Sequence, residues 1–457
     1  MTCMCSLFLL AIVALTCKMC QGKLESNPTY TRANITMPDY QIYHRMDELL
    51  GEVDALVDRH PGIMRRDMME ATVDGYSTKM SVVSVSPGGF DGKLDEKLRI
   101  LLNFGEHARE LVTSELALRL LSMLGGEHNL TVDNRTRLAH ILPHTVMKII
   151  PMENVNGRVK VEAGDLCERK NGRGVDTNRN WKVDWGKKEK DYNPNEEYPG
   201  TAPFSEPETR ILHQLVKEFA PQVWVNVHSG MEALFMPYDH KKMVPNDSGG
   251  VAVRNLLQVL NEQHCQGRCA VGSGGAFVGY LSHGTATDYI YDVAKVPIAL
   301  TLEIFGDEKT PDEDCFRMFN PVSYNQLEEV LAKWSTIFFA LLVNLPKTLS
   351  SMPSTIAATS WDISESSSLR PLKQFEYLYN GSGELKKLGR VWHGMDTVSE
   401  GLRTPDTEAS LQYYLLFCLM LLIMSWFRCS RRYKRLFFYI RSVSRRSCSK
   451  GVRCLGP

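Results

Sequence analysis

The stretch that most restricts the fold of this chain runs from Leu98 to Gly126. Leu98-Arg99-Ile100-Leu101-Leu102 is a short apolar run with the character of a buried strand. Asn103-Phe104-Gly105-Glu106-His107-Ala108-Arg109-Glu110-Leu111 follows it. Leu or Val then recurs at 111, 112, 116, 120 and 121, and Gly125-Gly126 supplies a stop, which is the signature of an amphipathic helix. His107 is therefore expected at the carboxyl end of a strand, and Glu110 in the first turn of a helix. A spacing of three on a helical turn aims both side chains the same way. An imidazole and a carboxylate aimed together suit a zinc ion, which takes nitrogen and oxygen ligands in a tetrahedral shell. Two ligands do not make a catalytic site, so a third must come from elsewhere in the chain.

The rest of the chain repeats the strand-then-helix pattern. Met46 to Val57 has helical apolar spacing and ends near His60-Pro61-Gly62. Strands are expected at 79–85, 98–104, 147–151, 223–228 and 298–305, with helices at 110–124, 206–219, 251–264 and 322–345. Such alternation predicts an α/β domain on a mostly parallel, mixed central sheet flanked by helices. Ligand sites in such sheets lie at the carboxyl ends of strands.

The two ends of the chain have a different character. Residues 1–22 read as a signal peptide: Leu7 to Leu15 is apolar, and Cys20-Gln21-Gly22 supplies small or polar residues after it. From Pro346 the chain turns Ser-rich, and 346–410 reads as a stem. Residues 411–427 are uncharged and apolar, with Tyr413-Tyr414 and Trp426-Phe427 at the two ends like interfacial aromatic belts, and read as one transmembrane helix. Of the 53 Lys and Arg, ten lie from Arg428 onward with no Asp or Glu among them, so residues 1–427 carry ten net negative charges. The basic tail 428–457 is expected in the cytosol and the rest in the lumen or outside, a type I single-pass arrangement of the secretory pathway or plasma membrane. An acidic body argues against nucleic acid as a partner. Five Asn-x-Ser/Thr sequons, at Asn34, Asn129, Asn134, Asn246 and Asn380, fall on the lumenal side. Between leader and apolar segment there are four cysteines, Cys167, Cys265, Cys269 and Cys315, which allow three pairings. A local Cys265–Cys269 bridge would leave Cys167 with Cys315; a Cys-x3-Cys metal site is the competing idea.

Three further segments carry chemistry. His228, in Val225-Asn226-Val227-His228-Ser229-Gly230, falls at a strand end. Alone it would be a hydrogen-bonded structural histidine; beside His107 and Glu110 it becomes the third ligand, leaving zinc a fourth position for water. In Gly174-Val175-Asp176-Thr177-Asn178-Arg179-Asn180-Trp181, Asn178 and Arg179 form a fork that fits a carboxylate. Asp176 is placed to orient a ligand histidine through its other ring nitrogen, or else to form a simple Asx turn. Glu303 is a lone carboxylate in the apolar run Pro297 to Phe305. Burying even a neutral polar group unpaired costs roughly 2–7 kcal/mol. Such a carboxylate is usually paired or functional, and burial suits it to acid–base work near neutral pH.

In this order, His-x-x-Glu, Asp-x-Asn-Arg-Asn, a later strand-end His and an apolar strand with Thr-Leu-Glu resemble the zinc metallocarboxypeptidases, over about residues 37–345. The resemblance implies one Zn2+ per chain, held by His107, Glu110 and His228. It implies that Glu303 takes a proton from the attacking water and passes it to the leaving amine. Asn178 and Arg179 would grip the terminal carboxylate of a peptide, and Arg169 the oxyanion, with Arg173 as a second candidate register. Asp176 would orient the first histidine, and Tyr280 would close over the substrate, since Tyr280, Gly284 and Asp288 keep the family's intervals. Two positions bear on specificity, Thr287 and Asp239. An Asp at the second is found in the regulatory branch, where it pairs with a C-terminal Lys or Arg; a turn-capping Asp239 neutralised by Lys241 or Lys242 is the plainer reading. Gly230 departs from the Tyr of pancreatic members. The chain thus reads as an exopeptidase acting on peptide or protein C-termini, with Arg or Lys preferred. An apolar preference, or an inactive peptide-binding membrane protein, are the alternatives.

Overall fold

The structure is a computed structural model that describes residues 35–91, 94–128 and 132–352. The expected signal peptide, apolar segment 411–427 and basic tail lie outside the described residues, as do the stem beyond residue 352 and the sequons at Asn34, Asn129 and Asn380.

One sheet of eight strands, in the order β1-β2-β4-β3-β5-β8-β6-β7, organises the chain. The strands are β1 (Met64–Val73), β2 (Tyr76–Val85), β3 (Leu98–Phe104), β4 (Thr145–Ile150), β5 (Val223–His228), β6 (Met231–Met236), β7 (Ala270–Ser273) and β8 (Ile298–Phe305). The centre, β4-β3-β5-β8, is parallel, whereas β1-β2, β2-β4 and β6-β8 are antiparallel. The main helices are α1 (Met46–Arg59), α2 (Leu111–Gly125), α3 (Val132–Ile141), α4 (Val155–Glu162), α5 (Pro207–Phe219), α6 (Ser248–His264), α7 (Ala286–Asp292) and α8 (Tyr324–Ser350).

The two-residue period of a strand decides what each face does. Ile100, Leu102 and Phe104 of β3, Val223, Val225 and Val227 of β5, and Ile298, Leu300 and Leu302 of β8 point into one apolar core, shared with α1, α2, α6 and α8. Burying one such side chain fully contributes about 1.5–3 kcal/mol. On the other face, Leu101, Trp224 and Ala299 pack with Ile211, Leu215 and Phe219 of α5. That second face turns polar toward the carboxyl ends: Asn103 on β3, Asn226 and His228 on β5, Thr301 and Glu303 on β8. The registers set Asn103 beside Asn226, Asn226 beside Thr301, and His228 beside Glu303. One strand period therefore builds a core on one side and a polar floor on the other.

The structure adds three strands that the sequence expectation lacked, β1, β6 and β7. β1 joins β2 through Asp74-Gly75, both at positive φ, as a type I′ hairpin turn requires. Most of β1 is exposed, so its pattern lacks an apolar side. Helix α8 continues through Pro346 to Ser350 instead of ending at 345. A helical proline costs about 3 kcal/mol, but burial of Leu345, Leu349 and Met352 anchors the turn around it. The segment Cys315–Ser350 is long and apolar enough to cross a membrane. Here Leu331, Trp334, Phe338 and Leu342 of α8 are buried in the first core, so it is a core helix. Both disulfides expected from the spacing are present, Cys167–Cys315 and Cys265–Cys269.

Candidate active site

The turn after β3 brings the first two ligand candidates together. Gly105 has φ of 66°, and a Cβ there would lie 2.9 Å from Ser114 Oγ and 3.2 Å from Met152 Cα. Only glycine fits, and the tight turn that it permits ends with Glu110 at the N-cap of α2, one residue before the first helical turn. His107 Nδ1 lies 2.7 Å from Glu110 Oε1. His228, at the end of β5, brings its Nδ1 to 3.0 Å from His107 Nδ1 and 3.1 Å from Glu110 Oε2. The Ser229 N–H donates to the same Glu110 oxygen at 3.0 Å.

These three side chains fit a zinc ion by chemistry and by spacing. Two imidazole nitrogens and a carboxylate are the expected donors, and donors about 2.1 Å from a tetrahedral ion lie about 3.4 Å apart. The charge balance agrees. Burial opposes a charged His228, yet Glu110 and Glu106 push its pKa well above the usual value. Burial also opposes ionisation of Glu110, yet the two histidines hold its carboxyl well below the usual range. A dication would satisfy the same surplus of negative charge. Glu106 also comes near, since donor atoms of Glu106, His107 and His228 lie within 4.8 Å of one another. Its Oε2 faces Nε2 of His228, at 3.1 Å. Glu110 instead meets the Nδ1 atoms of both rings, at 2.7 and 3.1 Å, on the side where those two atoms approach each other.

A cavity of about 330 Å³ opens from this corner. Glu303 lines it, half-buried, with Oε2 lacking a hydrogen-bond partner. Burial pushes its pKa up to about 8, with Glu110 adding to the rise and His228 and Arg169 opposing it. Asp176 is wholly buried, 3.3 Å from His107 Nε2, and accepts from Arg169 Nε at 2.9 Å. Burial opposes its ionisation, but Arg169, Arg179 and His107 hold its pKa well below the usual value. Arg169 lines the cavity; Arg173 is turned away, donating to Glu206 at 2.8 and 3.1 Å. The geometry thus separates the two arginine registers that the sequence left open. Asn178, Arg179 and Tyr280 line the same cavity. Asn178 Oδ1 accepts from Ala286 N at 2.9 Å, and Arg179 donates to Ser282 Oγ at 3.0 Å.

The same cavity is lined by Asp239, Thr285 and Thr301, and by Phe235 and Phe277. Burial and the neighbouring Asp288 push Asp239 up to about 7. Asp288 is itself tied down, accepting from Asp239 N at 3.0 Å and lying 2.6 Å from His240 Nδ1. Lys241 stacks over the Tyr238 ring at 3.4 Å, so it is not spent on Asp239. Thr287 does not reach the cavity. It is buried one layer back, 2.8 Å from Thr301 Oγ1, so Thr301 and Thr285 are the threonines that line the cavity, beside the hydroxyl residues Ser229, Ser282 and Tyr280.

Sequence reasoning missed Arg109, which lines the cavity and lies 4.2 Å over the Phe319 ring. It also missed Glu106, Asn103 and Asn226. The argument that found Glu303, a polar residue inside an apolar strand, applies equally to Asn103 and to Asn226 between two valines.

Comparison with known proteins gives a consistent set. The family model described as zinc carboxypeptidase matches residues 50–333. Carboxypeptidase A2 of Mus musculus is 27% identical over 267 residues, 56% of this chain and 61% of that protein. A zinc carboxypeptidase of Simulium vittatum is 27% identical over 279 residues, 57% of this chain and 85% of that one. Carboxypeptidase B2 of Mus musculus is 24% identical over 279 residues, 58% and 63% of the two chains. The match to the A2 and B2 proteins therefore spans less than two thirds of their length. Among solved structures, thrombin activatable fibrinolysis inhibitor superposes with a TM-score of 0.55 at 21% identity, over 67% of this chain and 75% of that one. The carboxypeptidase A from Helicoverpa armigera gives 0.55 at 18%, over 68% and 76%. At these identities the superpositions establish the shared fold.

Proposed function

The chain belongs to the zinc carboxypeptidase family, and from that premise we propose that it removes single C-terminal residues, with Arg and Lys preferred, from peptides or proteins in the secretory pathway or at the cell surface. The observation that carries this reading is the convergence of His107 Nδ1, Glu110 and His228 Nδ1 within 3.1 Å, beside a carboxylate, Glu303, whose Oε2 has no partner.

His107, Glu110 and His228 would hold the zinc, which would supply Lewis-acid chemistry, lowering the pKa of water and polarising a carbonyl. Glu303, its pKa raised to about 8, accepts a proton from the attacking water and returns it to the leaving amine. Arg169, kept charged by Asp176, faces the developing oxyanion. Asn178, Arg179 and Tyr280 take the terminal carboxylate, which limits cutting to the last residue. Asp239 in the cavity, with the Thr285 and Thr301 hydroxyls, favours a cationic side chain by roughly 2–5 kcal/mol, the cost of truncating a buried charge pair. Phe235 and Phe277 line the same cavity, which favours the second reading, an apolar preference. The two disulfides suit an oxidising compartment, and the uncharged apolar run 411–427 followed by a basic tail is what supports the reading of membrane attachment.

The test is to profile the full-length protein on peptides ending in Arg, Lys, Phe or Leu, with and without a chelator. Chelator-sensitive cleavage, fastest for Arg and Lys, is expected. Cleavage that survives the chelator sinks the zinc mechanism, and faster release of Phe sinks the assignment of Asp239.

A further inference from the structure

Under the two imidazoles runs a line of buried polar side chains that the mechanism above does not use. Glu153, Asn103, Asn226 and Glu106 are each at most 1% exposed. Asn103 and Asn226 are register partners on β3 and β5. Asn103 Nδ2 donates to Glu153 Oε2 at 2.5 Å and to Asn226 Oδ1 at 3.1 Å. Asn226 Nδ2 donates in turn to Glu106 Oε2 at 2.6 Å. That same oxygen lies 3.1 Å from His228 Nε2. Neither His228 Nε2 nor Glu106 Oε1 has an aligned hydrogen bond among the described residues, so the ion-pair contact is the polar neighbour recorded for that ring nitrogen.

A hydrophobic floor here would be cheaper, since isolated buried charges cost several kcal/mol each. The site places two carboxyl groups on this floor, and burial together with Glu106 pushes Glu153 well above the usual carboxyl pKa. The arrangement repeats, on the second ring, what Asp176 does on the first. His107 offers Nδ1 to the ligand corner and Nε2 to Asp176 at 3.3 Å. His228 offers Nδ1 to the same corner and Nε2 to Glu106. A carboxylate on the far nitrogen fixes the tautomer and raises the basicity of the ligating one.

We propose that Glu106 is a positioning residue of the metal centre: its Oε2, 3.1 Å from His228 Nε2, holds the Nδ1 lone pair toward the ion, and Glu106 is itself held by Asn226, which Asn103 supports in turn. The proposal rests on the reading of His228 as a zinc ligand. It places a carboxyl support behind each histidine of one ion.

The experiment measures zinc affinity of the full-length protein by competition with a fluorescent chelator. Alongside it run the melting temperature of the metal-free protein and the visible spectrum of the cobalt-substituted form. Glu106→Gln is expected to weaken zinc binding about 10–100-fold, and Glu106→Asp to recover part of that loss. Asn226→Ala is expected to weaken it in the same direction by a smaller factor. The metal-free melting temperature of Glu106→Gln should stay within about 3 °C of wild type, a shift of about 1 kcal/mol for a chain of this size. The cobalt band pattern should persist, because the ligands are unchanged. Zinc affinity of Glu106→Gln and Asn226→Ala within threefold of wild type overturns the proposal. So does a loss of affinity that follows collapse of the metal-free fold in every variant. A changed cobalt spectrum overturns it too, by making Glu106 a ligand. A wild-type protein that binds no zinc removes the reading beneath as well, which separates the two failures.

Discussion

At the metal corner of the cavity, His107, Glu110 and His228 are at most 4% exposed, and each is held by neighbours on separate segments. Elsewhere in the cavity, Asp239 is half-buried, its carboxyl raised to about 7, with hydroxyls and two phenylalanines lining the same space. The metal corner is held by several neighbours at once, whereas Asp239 is one acid among hydroxyls and rings. On the roles proposed above, reaction type and substrate choice respond to different substitutions.

The largest effect should come from the metal corner. Glu303→Gln removes the proposed proton carrier and is expected to lower kcat by about 10²–10⁴ for every C-terminal residue alike. A uniform loss sharpens the contrast; a loss confined to basic substrates breaks it. Asp239→Asn should act the other way. It is expected to cost C-terminal Arg and Lys about 2 kcal/mol or more, roughly 30-fold in kcat/KM, and to leave Phe and Leu nearly unchanged. An equal loss across all four peptides would place Asp239 in the chemistry instead.

The pH dependence gives a smaller, graded test. Burial and Asp288 raise Asp239 to about 7, so its carboxyl is neutral below that pH and charged above it. The ratio of kcat/KM for Arg over Phe should therefore climb between about pH 6 and 8, by up to about tenfold per unit below the pKa. Titration of Glu303 cancels in this ratio. A ratio flat from pH 5.5 to 8.5 removes the electrostatic argument. The smallest effect is expected from Thr287→Val. It deletes the 2.8 Å bond to Thr301 at a cost of about 1 kcal/mol in stability, with little change in substrate preference, because Thr287 stands behind the cavity wall.

The same contrast explains what the sequence could and could not reveal. His107 and Glu110 are three residues apart on one turn, and His228 and Glu303 each end or interrupt an apolar strand. Local pattern alone marks such positions. The central strands were legible for the same reason, since their apolar runs are buried on both faces. β1 was not, because most of its side chains meet water and its identity comes from pairing with β2. Thr301, Thr285 and Glu106 were not legible either. Their roles follow from which strand lies beside which, and register is a property of the folded sheet. Thr287 was misplaced by one layer because α7 shows the cavity Thr285 and buries Thr287.

The Cys167–Cys315 bond joins positions 148 residues apart. One end is two residues before Arg169, and the other begins the short helix Cys315–Phe319, whose Phe319 also lines the cavity. Two walls of the cleft are thus stitched by a link that only an oxidising environment completes. By closing a loop of that length the bond restrains the unfolded chain, and in the folded one it ties the segment of Arg169 to the segment of Phe319.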